Sequence, residues 1–481
     1  MQLTEFDHQS LIERTRRDFA PFYDQLRWIT PEAAEEMTRR RRELLDILSS
    51  NAATAFGNTK PFTGSLSPGC RLCGGGEWSC LFINNICNAR CFYCPSRQQQ
   101  VDEPGTSTLI FEHAKDYVDY LEYFGFKGAS ISGGEPFMTF ERTLAFASQI
   151  KKRFGERIYL WLYTNGILAA DDKLRRLRDA GLDEIRFNIG AVGYSLDRVS
   201  KAVGVIPHVT IEVPAVPERV DELISLLPEM KERGVDFLNL HQIRCTAFNY
   251  PNLVSRGYTF VHGPATGVAE SEIAALTVLA HAAERGIGPA VNYCSLIYRQ
   301  RYQARAARHR WAERLKKGHE DITETGMIRS LSCAADPSVL DGLETSFAAE
   351  GAGLYQRKNG RLYFGRALMA PVLAAGAGLR VSYYLPSIHP SVTYRNPYQE
   401  VRLNRKKTVV LERASAVADL DLGPDEAEAF NALTGAGQTV PADLDALFRL
   451  FPGIGRTLQA QEKWGQILHA ERLRSGLLEY Y

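Results

Sequence analysis

Short apolar runs and stretches of helical period alternate through the middle of the chain. The runs are LFINNI (81–86), GASIS (128–132), IYLWLYT (158–164), EIRFNI (184–189), HVTIEV (208–213) and DFLNLHQI (236–243). Between them lie segments with apolar residues three and four apart: FEHAKDYVDYLEYF, TFERTLAFASQIKKRF, DDKLRRLRDAG and ERVDELISLLPEMKERG. Repeated strand–helix units predict a parallel sheet with helices outside it. Six such units suit a partial (β/α)6 barrel, short of the closed eight-unit form. Spacing alone leaves a doubly wound open sheet as the alternative, because it carries no crossover order.

The pattern changes on both sides of this region. Upstream, PEAAEEMTRRRRELLDILSS has acids in its first turn, bases later and Pro31 at a first-turn position, all favourable to a helix. A Gly/Pro/Ser-rich link (57–69) follows. Beyond about residue 270 a helix at 270–286 leads to a short strand and an Arg-rich helix near 296–317. Then come β-like stretches (RLYFGRAL, LRVSYYL, KKTVVLER) and a helical end. The class predicted is α/β. Residues 1–60 form a helical N-terminal extension, 61–295 the partial barrel with a cysteine-rich segment, and 296–481 an α+β region.

Composition narrows the classes. The 481 residues are 45% hydrophobic and 23% charged, as in an ordinary globular protein. Lys plus Arg (57) nearly cancels Asp plus Glu (56), so no global field draws the chain to nucleic acid or an anionic membrane. No apolar run approaches the roughly 18 residues of a membrane span. The N-terminal run MQLTEFDHQSLIERTRRDF has no apolar core like that of a signal peptide. A cytoplasmic location is expected.

In a reducing compartment, crowded cysteines favour metal binding or catalysis over disulfides. Six of the nine cysteines lie between Cys70 and Cys94. Cys87, Cys91 and Cys94 form C-x3-C-x2-C just after the first predicted strand. Thiolate is the soft ligand that iron–sulfur clusters require, and a four-iron cluster normally takes four. Three on one loop leave one iron open, and open coordination separates a chemical site from a structural one. A structural zinc site is the bland alternative.

With Tyr93 before its last cysteine, this loop resembles the signature of the radical S-adenosylmethionine (SAM) superfamily. SGGEPF (132–137) is similar to the GGEP motif that meets the SAM amino group, and YTNG (163–166) to a strand-end polar pair. The resemblance spans about residues 78–245. It implies a 4Fe-4S cluster on Cys87, Cys91 and Cys94 that cleaves SAM reductively to a 5′-deoxyadenosyl radical. Tyr93, Gly133, Gly134, Glu135, Asn165, Asn188 and Glu212 would then contact the cofactors. Asn239 and His241 are further strand-end polar residues, as suited to barrel hydrogen bonding as to a ligand. Gly133 and Gly134 also fit a place where backbone must approach a ligand closely.

Cys70, Cys73 and Cys80, with glycines between them, form a second group, and Cys294 is the candidate for a fourth ligand. A lone iron, a zinc or an auxiliary cluster are the options, beside no metal at all. The runs from SCLFINNICNARCFYCP to GVDFLNLHQI are also similar to the methyl-coenzyme M reductase arginine C-methylase type. That type uses cobalamin, acts on a protein side chain, has a cysteine-rich loop before the cluster motif and lacks D-x-H-x-x-G. This chain lacks D-x-H-x-x-G too. The implied function is C-methylation of an unactivated carbon in a protein, peptide or small molecule, with an electron donor such as flavodoxin or ferredoxin. Residues 296–481 would bind substrate or cobalamin, with YQRKNGRLYF (355–364) and YYLP (383–386) as apolar walls.

Two stretches remain. The arginines of 298–317 read as a solvated basic face or an anion contact. The aromatic segment 248–264 reads as an active-site lid or a packed Ω-loop. Rival functions are a cobalamin-independent peptide- or small-molecule-modifying enzyme, and a non-catalytic iron–sulfur or zinc protein.

Overall fold

The computed structural model describes residues 5–351, 353–435, 441 and 444–480; the first four residues of the N-terminal run and Tyr481 fall outside it. Two compact units emerge. One comprises residues 8–304, 403–407 and 474–481, and the other residues 305–402 and 408–473 with the described residues before His8.

The first unit is built on seven strands: β1 (Trp78–Phe82), β2 (Gly128–Ser132), β3 (Tyr159–Thr164), β4 (Glu184–Phe187), β5 (His208–Pro214), β6 (Phe237–His241) and β7 (Ala290–Cys294). Each pairs in parallel with the next. Beyond β1 and β7 the sheet continues into antiparallel strands, Gly105–Thr106 on one side and Lys60–Phe62 on the other. The sheet therefore stays open, and the architecture is the α/β partial barrel that the alternation predicted. A seventh parallel strand, AVNYC, exceeds the expected six.

Alternation along the strands divides the side chains sharply. Leu81, Ile131, Leu162, Ile185, Ile211 and Leu240 are fully buried against the outer helices. The other face of the same strands carries Ser130, Glu184, Arg186, Thr210, Glu212, Asn239, His241 and Asn292. The barrel interior is polar.

Two helices differ from their sequence-based placement. Helix α1 (Pro31–Asn51), capped by the Thr30 side chain, packs against the helix Ala269–Arg285 of the barrel layer. Its buried Arg41 pairs with Glu272 at 3.0 Å. The N-terminal segment thus belongs to the barrel unit rather than standing apart. Helix α2 (Pro68–Gly75) contains Cys70 and Cys73, and Ser67 caps it by accepting from Cys70 N. It packs inside the barrel: a Cβ on Gly69 would collide with Arg186 and Glu184.

The second unit is an antiparallel sheet of Glu320–Ile322, Ile328–Ala334, Tyr355–Lys358, Arg361–Phe364, Gly378–His389, Tyr398–Arg402 and Thr408–Leu422. One face packs Leu331, Phe364, Val381 and Tyr383 against helices that supply Phe430 and Trp464. The α+β expectation holds there. The Arg-rich helix is not a solvated stripe. Arg301 donates to the carbonyls of Arg474 and Gly476, and Arg308 to that of Thr325. Free carbonyls at chain turns take up these guanidiniums.

Candidate active site

The cysteine loop leaves the C-terminal end of β1 and is closed by Asn85–Ile86 pairing with Gln99–Gln100. Cys87 N donates to Gln98 O at 3.3 Å, and Cys94 N to Cys91 O at 3.1 Å. Cys87, Cys91 and Cys94 are free and partly exposed. Burial pushes the Cys87 and Cys91 thiols above their ordinary value. A metal held there would have to drive off their protons, as metal ligation of thiols does.

Neighbouring strand ends hold this loop. Asn165, just past β3, donates to Asn88 Oδ1 at 2.7 Å and points the same amide at Cys87 Sγ at 3.6 Å. Tyr93 donates its hydroxyl to Asn188 Oδ1, after β4, at 3.0 Å. From the other side Asn249 donates to Tyr93 O and Thr246 to Pro95 O. The aromatic segment 248–264 is thus a packed support for the loop: Tyr250, Leu253 and Tyr258 share a core cluster with Phe92 and Tyr93.

Gly133 and Gly134 stitch β2 to the start of the loop. Gly134 N donates to Asn84 O at 3.2 Å, and Glu135 N to Ile86 O at 2.7 Å. A Cβ at Gly133 would strike the Asn84 backbone, and one at Gly134 the Ile86 carbonyl. Their close approach in this structure is to the chain itself. Glu135 is buried, and its carboxylate accepts from Thr164 Oγ1 (2.8 Å), Asn165 N (2.7 Å) and Phe137 N (3.0 Å). Desolvation nonetheless raises its pKa. This side chain acts as a strut that sets Asn165.

Glu212 lies elsewhere. Its Oε2 accepts from Arg186 Nη1 at 2.8 Å and Asn239 Nδ2 at 3.0 Å. Burial of Arg186 demands a counter-ion, and β5 supplies it. Glu212 is therefore a barrel-interior group and not a partner of the cysteine loop. Burial raises its pKa most, but Arg186, His241 and the Asn239 hydrogen bond together outweigh this and hold the carboxyl below the usual range.

The second cysteine group also lies in the barrel. Cys70 accepts from Asn239 Nδ2 (3.4 Å); Cys73 accepts from Gln303 Nε2 (2.5 Å) and Tyr298 OH (3.6 Å). Cys294 ends β7 beside Lys60 and Arg299. Lys60, Arg186, Tyr298 and Arg299 escaped the sequence reading as members of one site. The available signal was charge inside apolar strands, EIRF above all.

An open parallel barrel with three soft thiols on a loop at its strand C-terminal ends defines a class built to mount an iron–sulfur cluster over a barrel mouth. Residues 81–241 match the model of the Radical SAM superfamily. The domain implies a 4Fe-4S cluster and SAM. The donor set fits: three free thiols share one loop, and its tyrosine and backbone are anchored to the strand ends.

Among relatives, a Methanocaldococcus jannaschii protein named as a glycyl-radical enzyme activating enzyme is 28% identical over 275 residues, covering 55% of this chain and 72% of its own. A second protein of that organism, named as a GTP 3′,8-cyclase, is 29% identical over 164 residues, covering 32% of this chain and 53% of its own. The chain thus spans about half of that second relative. Streptococcus suis SuiB bound to S-adenosylmethionine matches with a TM-score of 0.31 at 13% identity, over 44% of this chain and 49% of that one. Kitasatospora setae TsrM, a radical SAM methyltransferase with cobalamin and a [4Fe-4S] cluster bound, matches at 0.27 and 14%, over 35% and 37%.

Proposed function

We propose that Cys87, Cys91 and Cys94 hold a 4Fe-4S cluster for reductive SAM cleavage, and that the radical chemistry so started is aimed at a carbon of a protein or peptide. When bound, the cluster supplies the electron that breaks the SAM sulfonium. The residues of the chain supply position. Asn165 and Asn188 fix the loop against β3 and β4, and Glu135 fixes Asn165. The observation that carries this reading is the loop of three thiols bonded to two strand-end asparagines. Anaerobic reconstitution followed by detection of 5′-deoxyadenosine tests it. A protein that takes up iron on the loop yet forms no 5′-deoxyadenosine from SAM and reductant would overturn it.

A protein substrate is favoured because two independent likenesses share it. The relative named as an activating enzyme acts, by its name, on another enzyme, and the resembling methylase type acts on a protein side chain. A small electron-transfer protein such as flavodoxin or ferredoxin completes the reaction. The cytoplasmic setting rests on the sequence; among the described residues no helix is long and apolar enough to cross a membrane.

C-methylation with cobalamin as methyl carrier is the finer form of this reading, supported by the methylase-like runs. The sheet unit offers a cavity of about 400 Å³ lined by Tyr363, Tyr384, Tyr398 and Arg413, with Gln356 and Lys358. Most of these come from the stretches expected to supply walls, although Tyr383 is core. Such a volume is at the lower end for drug-sized ligands, and a corrin macrocycle needs more room. Equilibrium binding of methylcobalamin to the reconstituted full-length protein decides the matter. No binding would leave a cobalamin-independent radical SAM enzyme.

A further inference from the structure

The helices of the second unit cover only one face of its sheet. Leu331, Phe364, Val381 and Tyr383 point into the helical core. Their strand neighbours Ser330, Tyr363 and Tyr384 face the other way, where with Tyr398 and Arg413 they line the cavity of about 400 Å³. The strand Tyr355–Lys358 divides in the same manner. Tyr355 packs on Phe347, ring centroids 5.7 Å apart, and Arg357 pairs with Asp341, both partners lying on the helix Pro337–Ala348. Gln356 and Lys358 turn instead to the cavity and line it. Asn359 and Gly360, at φ 51° and 71°, close this strand onto the next in a two-residue hairpin, which fixes exposed Lys358 beside the cavity.

The cavity has donors to spare and no free acid. Its one carboxylate, Glu320, is consumed: it accepts from Arg413 Nη1 at 2.7 Å and from Lys317 N at 2.9 Å. Arg413 in turn lies 3.6 Å from the Tyr384 ring centroid, so this pair braces the wall. The ammonium groups of Lys317 and Lys358 meet no carboxylate among the described residues, and the hydroxyls of Tyr363, Tyr384 and Tyr398 make no hydrogen bond there. Three cations against one acid leave the lining at +2, in a chain whose net charge is only +1. Such a surface is complementary to an anion.

A second observation selects the kind of anion. Tyr355–Lys358 is an edge of the sheet: it pairs with Arg361–Phe364 on one side, and among the described residues no strand pairs with its other side. An open edge offers a row of backbone donors and acceptors, to which an extended peptide can add as a further strand. A free anion would use the lysines and leave the edge idle. A peptide engages both, because its backbone takes the edge while every second side chain faces the cavity. We propose that this face of the sheet unit binds an extended acidic segment of a polypeptide, paired to Tyr355–Lys358, with alternate carboxylates directed at Lys317 and Lys358. The proposal rests on the reading of a polypeptide substrate and assigns recognition of that substrate to the sheet unit.

Binding is measured on the full chain without iron, SAM or reductant, so its failure and a failure of SAM cleavage are separate results. The probe is a fluorescein-labelled heptapeptide that alternates glutamate with threonine, a good strand former, read by fluorescence anisotropy. It should bind, and the same peptide with lysine in place of glutamate should not. Lys317→Glu with Lys358→Glu, both exposed positions, should weaken binding about tenfold or more. N-methylation of alternate amides in the probe leaves its charge unchanged but removes edge hydrogen bonds, and should also weaken binding. No binding of the acidic probe, or equal binding of the lysine peptide, overturns the proposal. Undiminished affinity in the double variant or for the N-methylated probe overturns it too. Displacement of the probe by inorganic phosphate at constant ionic strength would mark a free-anion site and overturn it as well.

Discussion

The interiors of the two units follow opposite rules. In the sheet unit Leu331, Phe364, Val381 and Trp464 fill the space between sheet and helices, and its buried arginines meet carboxylates, Arg413 pairing with Glu320 at 2.7 Å. Arg329 meets Glu471 through two bonds of 2.9 and 3.0 Å and Asp321 through one of 2.9 Å, while Tyr383 donates to Glu471 at 2.8 Å. In the barrel Arg186 is answered in the same way, by Glu184 at 2.9 Å and Glu212 at 2.8 Å. Lys60, 1% exposed, has no carboxylate partner among the described residues. A satisfied polar cluster is architecture, whereas the unanswered remainder marks where a ligand belongs.

The largest effect should come at the cysteine loop. Cys91→Ala removes a soft ligand that no neighbouring side chain replaces, so SAM cleavage should fall to background when 5′-deoxyadenosine is measured by mass spectrometry. Wild-type cleavage in Cys87→Ala, Cys91→Ala and Cys94→Ala alike would remove the site. Next come the two buried ion clusters. Arg186→Met strands Glu184 and Glu212, and Arg329→Met strands Glu471; each should cost about 3–5 kcal/mol in urea denaturation. A loss under about 1 kcal/mol at either site would show that its carboxylates find other partners.

The strand–helix alternation and the cysteine loop were legible because both are written in local pattern. What the sequence hid depends on register. Glu212 in TIEV read as a strand-end candidate and Arg186 in EIRF went unnoticed; their pairing appears only once β4 and β5 align Arg186 with Thr210. The glycine run after Cys73 suggested a loop wrapping a metal, yet PGCRLCGG is helical, ended by Gly76 in the left-handed conformation (φ 70°). Strand β7 was expected as a short strand after the helix at 270–286, but its parallel pairing with β6 is a matter of register. Lys60 lies in a three-residue strand of a Gly/Pro-rich link, and nothing in its neighbours foretells burial.

A smaller effect separates loop positioning from cluster binding. Tyr93→Phe keeps the ring among Phe92 and Tyr250 but deletes the bond to Asn188, worth about 0.5–1.5 kcal/mol. The loop thiols should still bind iron, with faster loss to a chelator. Asn188→Ala should reproduce that rate, and the double variant should add nothing. Additive losses would mean that Tyr93 and Asn188 act on the loop separately.

The smallest effect falls in the sheet unit and tests whether its interior is indeed closed. His319 is 5% exposed, and burial, followed by the positive field of Lys317 and Arg413 against that of Glu320, lowers its pKa from the ordinary value. The folded state therefore holds the imidazole neutral where the unfolded chain, titrating near 6.5, already takes a proton. Below that pH the unfolded state binds the extra proton, so unfolding free energy falls as pH falls, by at most about 1.4 kcal/mol per pH unit. The loss should stop once the pH drops beneath the folded-state value. His319→Gln cannot titrate, so its urea midpoint should change less between pH 7.5 and pH 5 than that of the wild type. Equal changes in the two proteins would assign the pH dependence to other groups and mean that His319 titrates alike in both states.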